Sequence, residues 1–548
     1  MPPPSDARVD LARISDNRPM FANSPLRNRS FRWFYVGAVG TALGFTMLVT
    51  MAAWMMATLS TSELLVALVQ SAATIPSLLF GLFAGALADL TDRRKVIMIA
   101  QSILSGASLL LALTTLTGLI NPALLLIFTF LVGVGFAFYM PAQSARVNEL
   151  VEPDELPRAV ALGAVAFNVS RAVGPAIAGT IAAYQGSGLA LLLSVLCFLP
   201  MFFGARVGSA DISALPGVRE TLLGSVGSGL RFARHSVAMR SLIIKNVSFA
   251  VCASAMWALL PVIARDQLDL GAGGFGLLYG MFGTGAVISA LLMPRQLQRF
   301  SLNTVVGGHV LLWIVASAIV AASHIPAVAM VGAAGAGAAW VGVLASLGAG
   351  MQSTAPAWVR ARAVALGLLS VQASLAFGSA AWGALAHAAG TQITVIAAAG
   401  AMLVLYGLNR RARVTLGSLD DVTPYAHLPD LQLSAEPMPD DGPVLVQVEY
   451  RIERQRRAEF MNLIGTIEPT RRRNGAYDWR VFRDLSEDGR FVERFIISSW
   501  AEYIRSRGRM TIADRELQNR VMQLQRSDTP IQVSRLLGVE TDRRARRS

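Results

Sequence analysis

Apolar residues in this chain come in long unbroken runs rather than in alternation. They fall near 33–56, 64–88, 96–118, 123–144, 159–184 and 188–206. A polar stretch, 207–240, separates these from six more, near 241–264, 273–294, 303–323, 326–350, 359–386 and 391–408. A helix of about 20 residues crosses a hydrocarbon layer of about 30 Å, so the pattern predicts twelve membrane-spanning helices in two groups of six.

The two groups share letters. "RAVALG" occurs at 158–163 and returns at 362–367, an offset of 362 − 158 = 204 residues. In the same register Gly174 meets Gly378 and Gly179 meets Gly383. That spacing is far too long for a solenoid and implies two duplicated halves. The hexapeptide marks the entry to the fifth helix of each half. Arg158 and Arg362 there read either as a paired hinge or as anchors snorkelling to the headgroups.

Beyond Arg413 the period changes. Residues 417–443 form a Pro- and Asp-rich linker. Then "VLVQVEYRI" reads as a strand, 455–473 as a helix, "YDWRVFRDL" and "RFVERFIISSW" as strands, 501–526 as a helix and "IQVSRLL" as a last strand. The order βαββαβ predicts a small ferredoxin-like α+β unit. The expected division is a tail at 1–30, six-helix bundles at 31–206 and 241–413 around a central loop at 207–240, a linker at 414–442, the α+β domain at 443–540 and a basic end at 541–548.

Charge turns this pattern into a topology. Only 15% of the 548 residues are charged, and no Asp or Glu occurs between Asp269 and Asp420. A water-soluble domain of that length could not clothe itself without acids. The net charge is +13, with Lys95 and Lys245 the sole lysines. The arginines crowd the N-terminal tail and alternate loops, while the remaining loops carry only Arg265. The positive-inside rule then puts both termini and the central loop in the cytoplasm. It accounts for the basic balance without a nucleic-acid partner. Cys197 and Cys252 lie in apolar segments and imply no disulfide framework. No cofactor or metal set is expected.

Three stretches carry candidate chemistry. In "GLFAGALADLTDRRKVIM" (81–98), Gly85 allows close helix approach. Asp89 at a membrane boundary is suited to accept hydrogen bonds from helix ends or arginine. Asp92, Arg93, Arg94 and Lys95 complete this candidate conformational gate. In "NVSRAVGPAIAG" (168–179), Pro175 removes a backbone donor and kinks the helix between Gly174 and Gly179. Asn168 and Arg171 are candidates for substrate binding or coupling. Arg171 reads as about two turns inside its span, where a charge is costly and faces a cavity or a partner. Trp54, Met55, Tyr139, Trp257 and Trp340 read either as the lining of a permissive cavity or as lipid-facing packing.

Together with "NRSFRWFYVGA" and "GVGFAFYMPAQSARVNELVEPDELPRAVALG", these stretches make residues 28–415 resemble the major facilitator superfamily. The resemblance is to its enterobactin-exporter-like (transmembrane secretion effector) branch. It implies a fold of two parallel six-helix repeats and export of a siderophore or another amphipathic small molecule, with protons as the coupling ion. The implied location is the bacterial cytoplasmic (inner) membrane. The 81–98 stretch resembles the family's loop motif but has Leu90 where an arginine often stands. The 168–179 stretch resembles the antiporter Gly-Pro motif. The tail resembles small dimeric domains related to antibiotic-biosynthesis monooxygenases, which implies self-association. Trp479, Trp500 or Asn474 could serve cofactor-free oxygenation, yet the α+β domain has no His or Cys and no nucleophile–base pair, so the reading is of a transporter and not an enzyme. A lipid flippase and a membrane-anchored enzyme stay open as alternatives.

Overall fold

A computed structural model describes residues 24–207, 222–412, 414, 416–425, 437–526 and 529–539. Among them are twelve helices long and apolar enough to cross a membrane. The first half comprises α1 (Arg29–Leu59), α2 (Glu63–Leu90), α3 (Arg93–Leu116), α4 (Pro122–Leu150), α5 (Leu156–Gln185) and α6 (Ser187–Arg206). The stretch expected as a loop instead carries α7 (Leu222–His235), amphipathic and too short to span. The seventh span follows as α8 (Val237–Val262), starting four residues before 241 (241 − 237 = 4). Ser236 caps it, its Oγ accepting from Met239 N, and a capped start outweighs the polar Arg240 that suggested a loop. Then come α9 (Ala272–Arg299), α10 (Leu302–Ala322), α11 (Pro326–Thr354), α12 (Ala357–Ala389) and α13 (Thr391–Leu408).

Local chemistry sets the ends of these helices. Asn28 caps α1 by accepting from Ser30 N at 2.9 Å, and Asn121 caps α4 by accepting from Leu124 N at 3.0 Å. Gly186 alone joins α5 to α6 with φ +87°, and Gly390 joins α12 to α13 with φ +86°. Both turns need the left-handed region open to glycine. They are separated by 390 − 186 = 204 residues, the offset of the hexapeptide. Large apolar side chains such as Phe203 and Leu408 stand exposed. Such surface is a liability in water and suits a lipid-facing wall.

The tail begins with a short helix, α14 (Leu419–Val422), followed by β1 (Val444–Arg451), α15 (Arg457–Gly465) and α16 (Glu468–Arg473). It continues through β2 (Tyr477–Arg483), β3 (Arg490–Ile497), α17 (Trp500–Gly508), α18 (Ile512–Met522) and β4 (Gln532–Leu537). Each of the two expected helices is thus broken in two. The strands form one antiparallel sheet in the order β2-β3-β1-β4. Val444, Val446, Val448 and Tyr450 of β1 alternate into its core beside Phe491, Phe495 and Ile497 of β3. The termini 1–23 and 540–548 lie outside the described residues, and with them the basic end at 541–548.

Glu493 sits on that buried face with no exposure. Arg471 Nε donates to it at 2.9 Å, Trp479 Nε1 at 3.0 Å and the Tyr450 hydroxyl at 3.1 Å. Burial alone pushes its pKa up, but the Arg471 charge and these three donors hold the carboxyl below its ordinary value.

The tail docks on α7 and the second half. Arg231 of α7 pairs with Glu502 at 3.1 Å, and Arg509 pairs with the same carboxylate at 2.7 Å. The Arg509 guanidinium lies 4.4 Å from the ring centre of Trp358, which meets Phe232 edge-on at 6.0 Å. Arg362 of the second hexapeptide donates to Ser228 of α7 at 2.6 Å. It therefore holds the connecting helix, which a snorkelling anchor would not do. The bundle end bearing this domain is the tail side, and the opposite end is the far side.

Replacing Glu493 by Gln strands Arg471 in the core, a change expected to cost about 3–5 kcal/mol. Tail melting followed by tryptophan fluorescence should register it. In the unmodified protein the Glu493 contribution is complete above the ordinary carboxylate pKa. It fades as pH falls through the depressed one, so acid should remove the difference between the two proteins.

Candidate functional site

The 85–95 region folds inside the first half. Gly85 faces open space, with nothing within 4 Å of where a Cβ would stand. Asp92 caps α3, accepting from Arg94 N at 2.9 Å. Arg93 donates through Nε to Ala88 O at 3.2 Å and through Nη1 to Ala145 O at 3.3 Å, and it pairs with Glu149 at 2.6 Å. Glu149 also pairs with Arg146, which donates to Val207 O at 3.0 Å. The cluster therefore binds the tail-side ends of α2, α3, α4 and α6. Arg94 is half-buried and Lys95 exposed. The Asp89 residue ends α2, and its side chain lies outside the described residues. No sequence pattern singles out Glu149 and Arg146 as partners of the gate, since 149 − 93 = 56 residues separate the paired charges.

The glycines of α5 have different neighbours. Gly174 packs on the Thr46 side chain of α1, whose hydroxyl donates to Ser170 O at 2.9 Å. Gly179 faces the other half. A Cβ there would stand 2.6 Å from Ala272 O and 2.7 Å from Gly276 Cα of α9. Gly276 in turn abuts Pro175 O, and Gly283 abuts Arg171 O and Ala172. The repeat keeps this division of labour. Gly378 of α12 packs on Ser254 of α8, and Gly383 packs on Ala67 and Leu64 of α2. The fifth helix of each half thus uses one glycine at home and one to reach across.

Both crossings extend to the far side. There Glu63 and His387 also meet at 3.2 Å, and Arg265 donates to Ser60 O at 3.0 Å. Toward the tail side, Gly81 still touches Leu369, whereas Gly85 and Gly163 meet nothing within 4 Å.

Arg171 stands at the midpoint of the 30-residue α5 (171 − 156 = 15), deeper than two turns. Its guanidinium lies 5.1 Å from the ring centre of Trp257 on α8, a first-half cation laid on a second-half aromatic. Among the described residues it has no carboxylate partner. Asn168 is not drawn to it; the amide donates instead to Ala164 O of its own helix at 2.9 Å. Trp257 is half-buried. It is the hub of a cluster, with Phe282 at 4.6 Å, Trp340 at 5.3 Å and Tyr279 at 5.5 Å. The cluster runs on through Phe275 to Trp54 of α1. Arg171 is thus a single cation on a π-rich wall where the halves meet, suited to hold an aromatic or anionic group by exchange with Trp257. Among the described residues no group of His, Cys, Asp and Glu is placed to hold a metal.

Twelve spans in two repeats, with the fifth helix of each half crossing to the other, give the major facilitator architecture. Solved structures agree on the fold. The nucleoside transporter NupG superposes with a TM-score of 0.55 at 13% identity, covering 70% of this chain and 99% of that one. A bacterial homologue of the human lysosomal transporter Spinster gives 0.56 at 15% identity, covering 71% and 98%. The chain belongs to the transmembrane secretion effector family, whose model matches residues 20–543. Curated relatives include the staphyloferrin A transporter of Staphylococcus aureus, 25% identical over 254 residues, which is 45% of this chain and 62% of that protein. Another is the multidrug efflux pump Tap of Mycolicibacterium fortuitum, 29% identical over 64% of this chain and 88% of that one.

A side chain at Gly276 has no room between α9 and α5. Gly276→Leu should destabilise the protein by about 1–3 kcal/mol through overpacking, read as a lower melting temperature in detergent. Gly106→Leu, on an exposed and open stretch of α3, should change it little.

Proposed function

We propose that this protein is a secondary exporter of amphipathic small molecules in the bacterial cytoplasmic membrane. It works by alternating access between its halves and is driven by proton antiport. The observation that carries the reading is Arg171 on Trp257. An uncompensated cation at mid-span is costly, and here it stacks on the opposite half beside Tyr279 and Phe282. A cargo with an anionic or aromatic head would replace Trp257 over the guanidinium, and its apolar body would rest on the aromatic wall. Binding would then loosen a contact between the halves, which is what a transport cycle requires of its cargo.

Family membership and the efflux relatives support export. Staphyloferrin transport by one relative favours a siderophore among the cargoes. The arginine distribution favours a cytoplasmic tail side, and the contacts at the far side then correspond to a cytoplasm-open state. For proton coupling the residues to test are Asp89, at the end of α2, and the Glu63–His387 pair, which joins a carboxylate of α2 to an imidazole of α12. The tail reads as a ferredoxin-like unit, supported by its strand order. Its docking through Arg509 and Glu502 favours a supporting role over catalysis, and self-association through it is part of the same proposal.

The test is the purified protein in liposomes holding a pH-sensitive dye under an imposed proton gradient. Catecholate siderophores, macrolides and lysolipids are added singly. One class should collapse the gradient. Asp89→Asn should suppress the proton flux, and Arg171→Met should raise the half-saturating cargo concentration by about tenfold or more. Cargo movement without proton flux would refute antiport, and movement of lysolipid alone would favour a flippase.

A further inference from the structure

Lys245 is one of only two lysines in a chain whose other basic residues number 48 − 2 = 46 arginines. It lies eight residues into α8 from the tail side (245 − 237 = 8) and is 6% exposed. No acid occurs in sequence from Asp269 to Asp420, the stretch that builds α9 to α13 around it. Among the described residues no carboxylate pairs with it. Its ammonium carries three donors. One reaches Asn303 Oδ1 at 3.3 Å, an oxygen that also accepts from Val414 N at 3.0 Å. Otherwise the charge lies over the Tyr406 ring, 5.3 Å from its centre.

The lysine lines a narrow, open-sided cleft. Ser248, Tyr406 and Asn409 give it a polar end, and Phe249 and Met402 an apolar one. The Tyr406 hydroxyl packs against Gly307, where a side chain would displace it, and has no hydrogen-bond partner among the described residues. Asn409 Nδ2 donates to Ser248 Oγ at 3.1 Å, which fixes that edge. Among the described residues, the donors that Lys245 and Tyr406 leave unused thus border a cleft with no carboxylate bound to either. A buried cation in such a place is stabilised by a counter-charge. An ammonium, compact and monodentate, suits a narrow cleft better than the planar fork of arginine.

We infer that this cleft is a binding site for a phosphate group, held by Lys245 and Tyr406 at the tail-side membrane boundary. The occupant is a phosphate-bearing lipid headgroup or a free phosphate ion.

Full-length protein, purified in detergent and stripped of lipid, is titrated with phosphatidylglycerol, with diacylglycerol of the same chains, and with inorganic phosphate. Native mass spectrometry and thermal melting give the readout. Phosphatidylglycerol should bind saturably and raise the melting temperature. Lys245→Gln should weaken it by about tenfold and Tyr406→Phe by less. Stabilisation by inorganic phosphate without phosphatidylglycerol, lost in Lys245→Gln, would assign the site to the free ion. Equal stabilisation by diacylglycerol would overturn the inference. So would phosphatidylglycerol binding that neither substitution weakens. Should Lys245→Gln not fold, Tyr406→Phe on the same cleft decides.

Discussion

The architecture depends on how closely two backbones can approach where α5 crosses α9 and α12 crosses α2. In lipid there is no water to drive helices together, so their association rests on packing and on small residues that let it be close. Gly179 against Gly276 and Gly383 against Ala67 supply that closeness between the halves. Gly174 on Thr46 and Gly378 on Ser254 supply it within each half. The kinking proline stands in the first repeat only, at Pro175. Its carbonyl is the atom that Gly276 must clear, so the bend and the close approach belong to one arrangement.

That contact also explains where the one mid-span charge sits. Arg171 is four residues before Pro175 on the chain (175 − 171 = 4), so its carbonyl is the acceptor the proline leaves unused. The same carbonyl abuts Gly283 of α9. The side chain is therefore held at the crossing by its own backbone, and its guanidinium takes Trp257 in place of an anion. The charges at the tail-side end of the first half behave differently. Arg93, Glu149 and Arg146 tie four helices of one half into a rigid end, which keeps that half a single body.

Much of this was legible in the sequence because membranes simplify the code. Long apolar runs, a repeated hexapeptide and two pairs of glycines were enough for twelve spans in two related halves. The turns at Gly186 and Gly390 match the repeat offset. What escaped lay in pairings rather than patterns. Helix α7, "LLGSVGSGLRFARH", has too few apolar residues and too many glycines to be read as a helix on propensity. Its order comes from Trp358, Arg362 and the tail packed on it. The role of Trp257 was hidden for the same reason, because an aromatic in a span looks alike whether it meets lipid or a cation. In the tail, strand order was readable from the alternation, but Asp478, with φ of +49°, and the register shift beside it were not.

The tail's anchoring gives the molecule an asymmetry that its repeats conceal. Among the described residues it is held by Phe232 and Arg231 of α7, Trp358 of α12 and Ser353 of α11, through Gly417. All of these belong to the connecting helix or the second half. The domain is therefore a passenger of the second half. Under the alternating access proposed above, it would move with that half and leave none of these contacts stretched. The second half is thus the heavier of the two bodies and the first half the lighter.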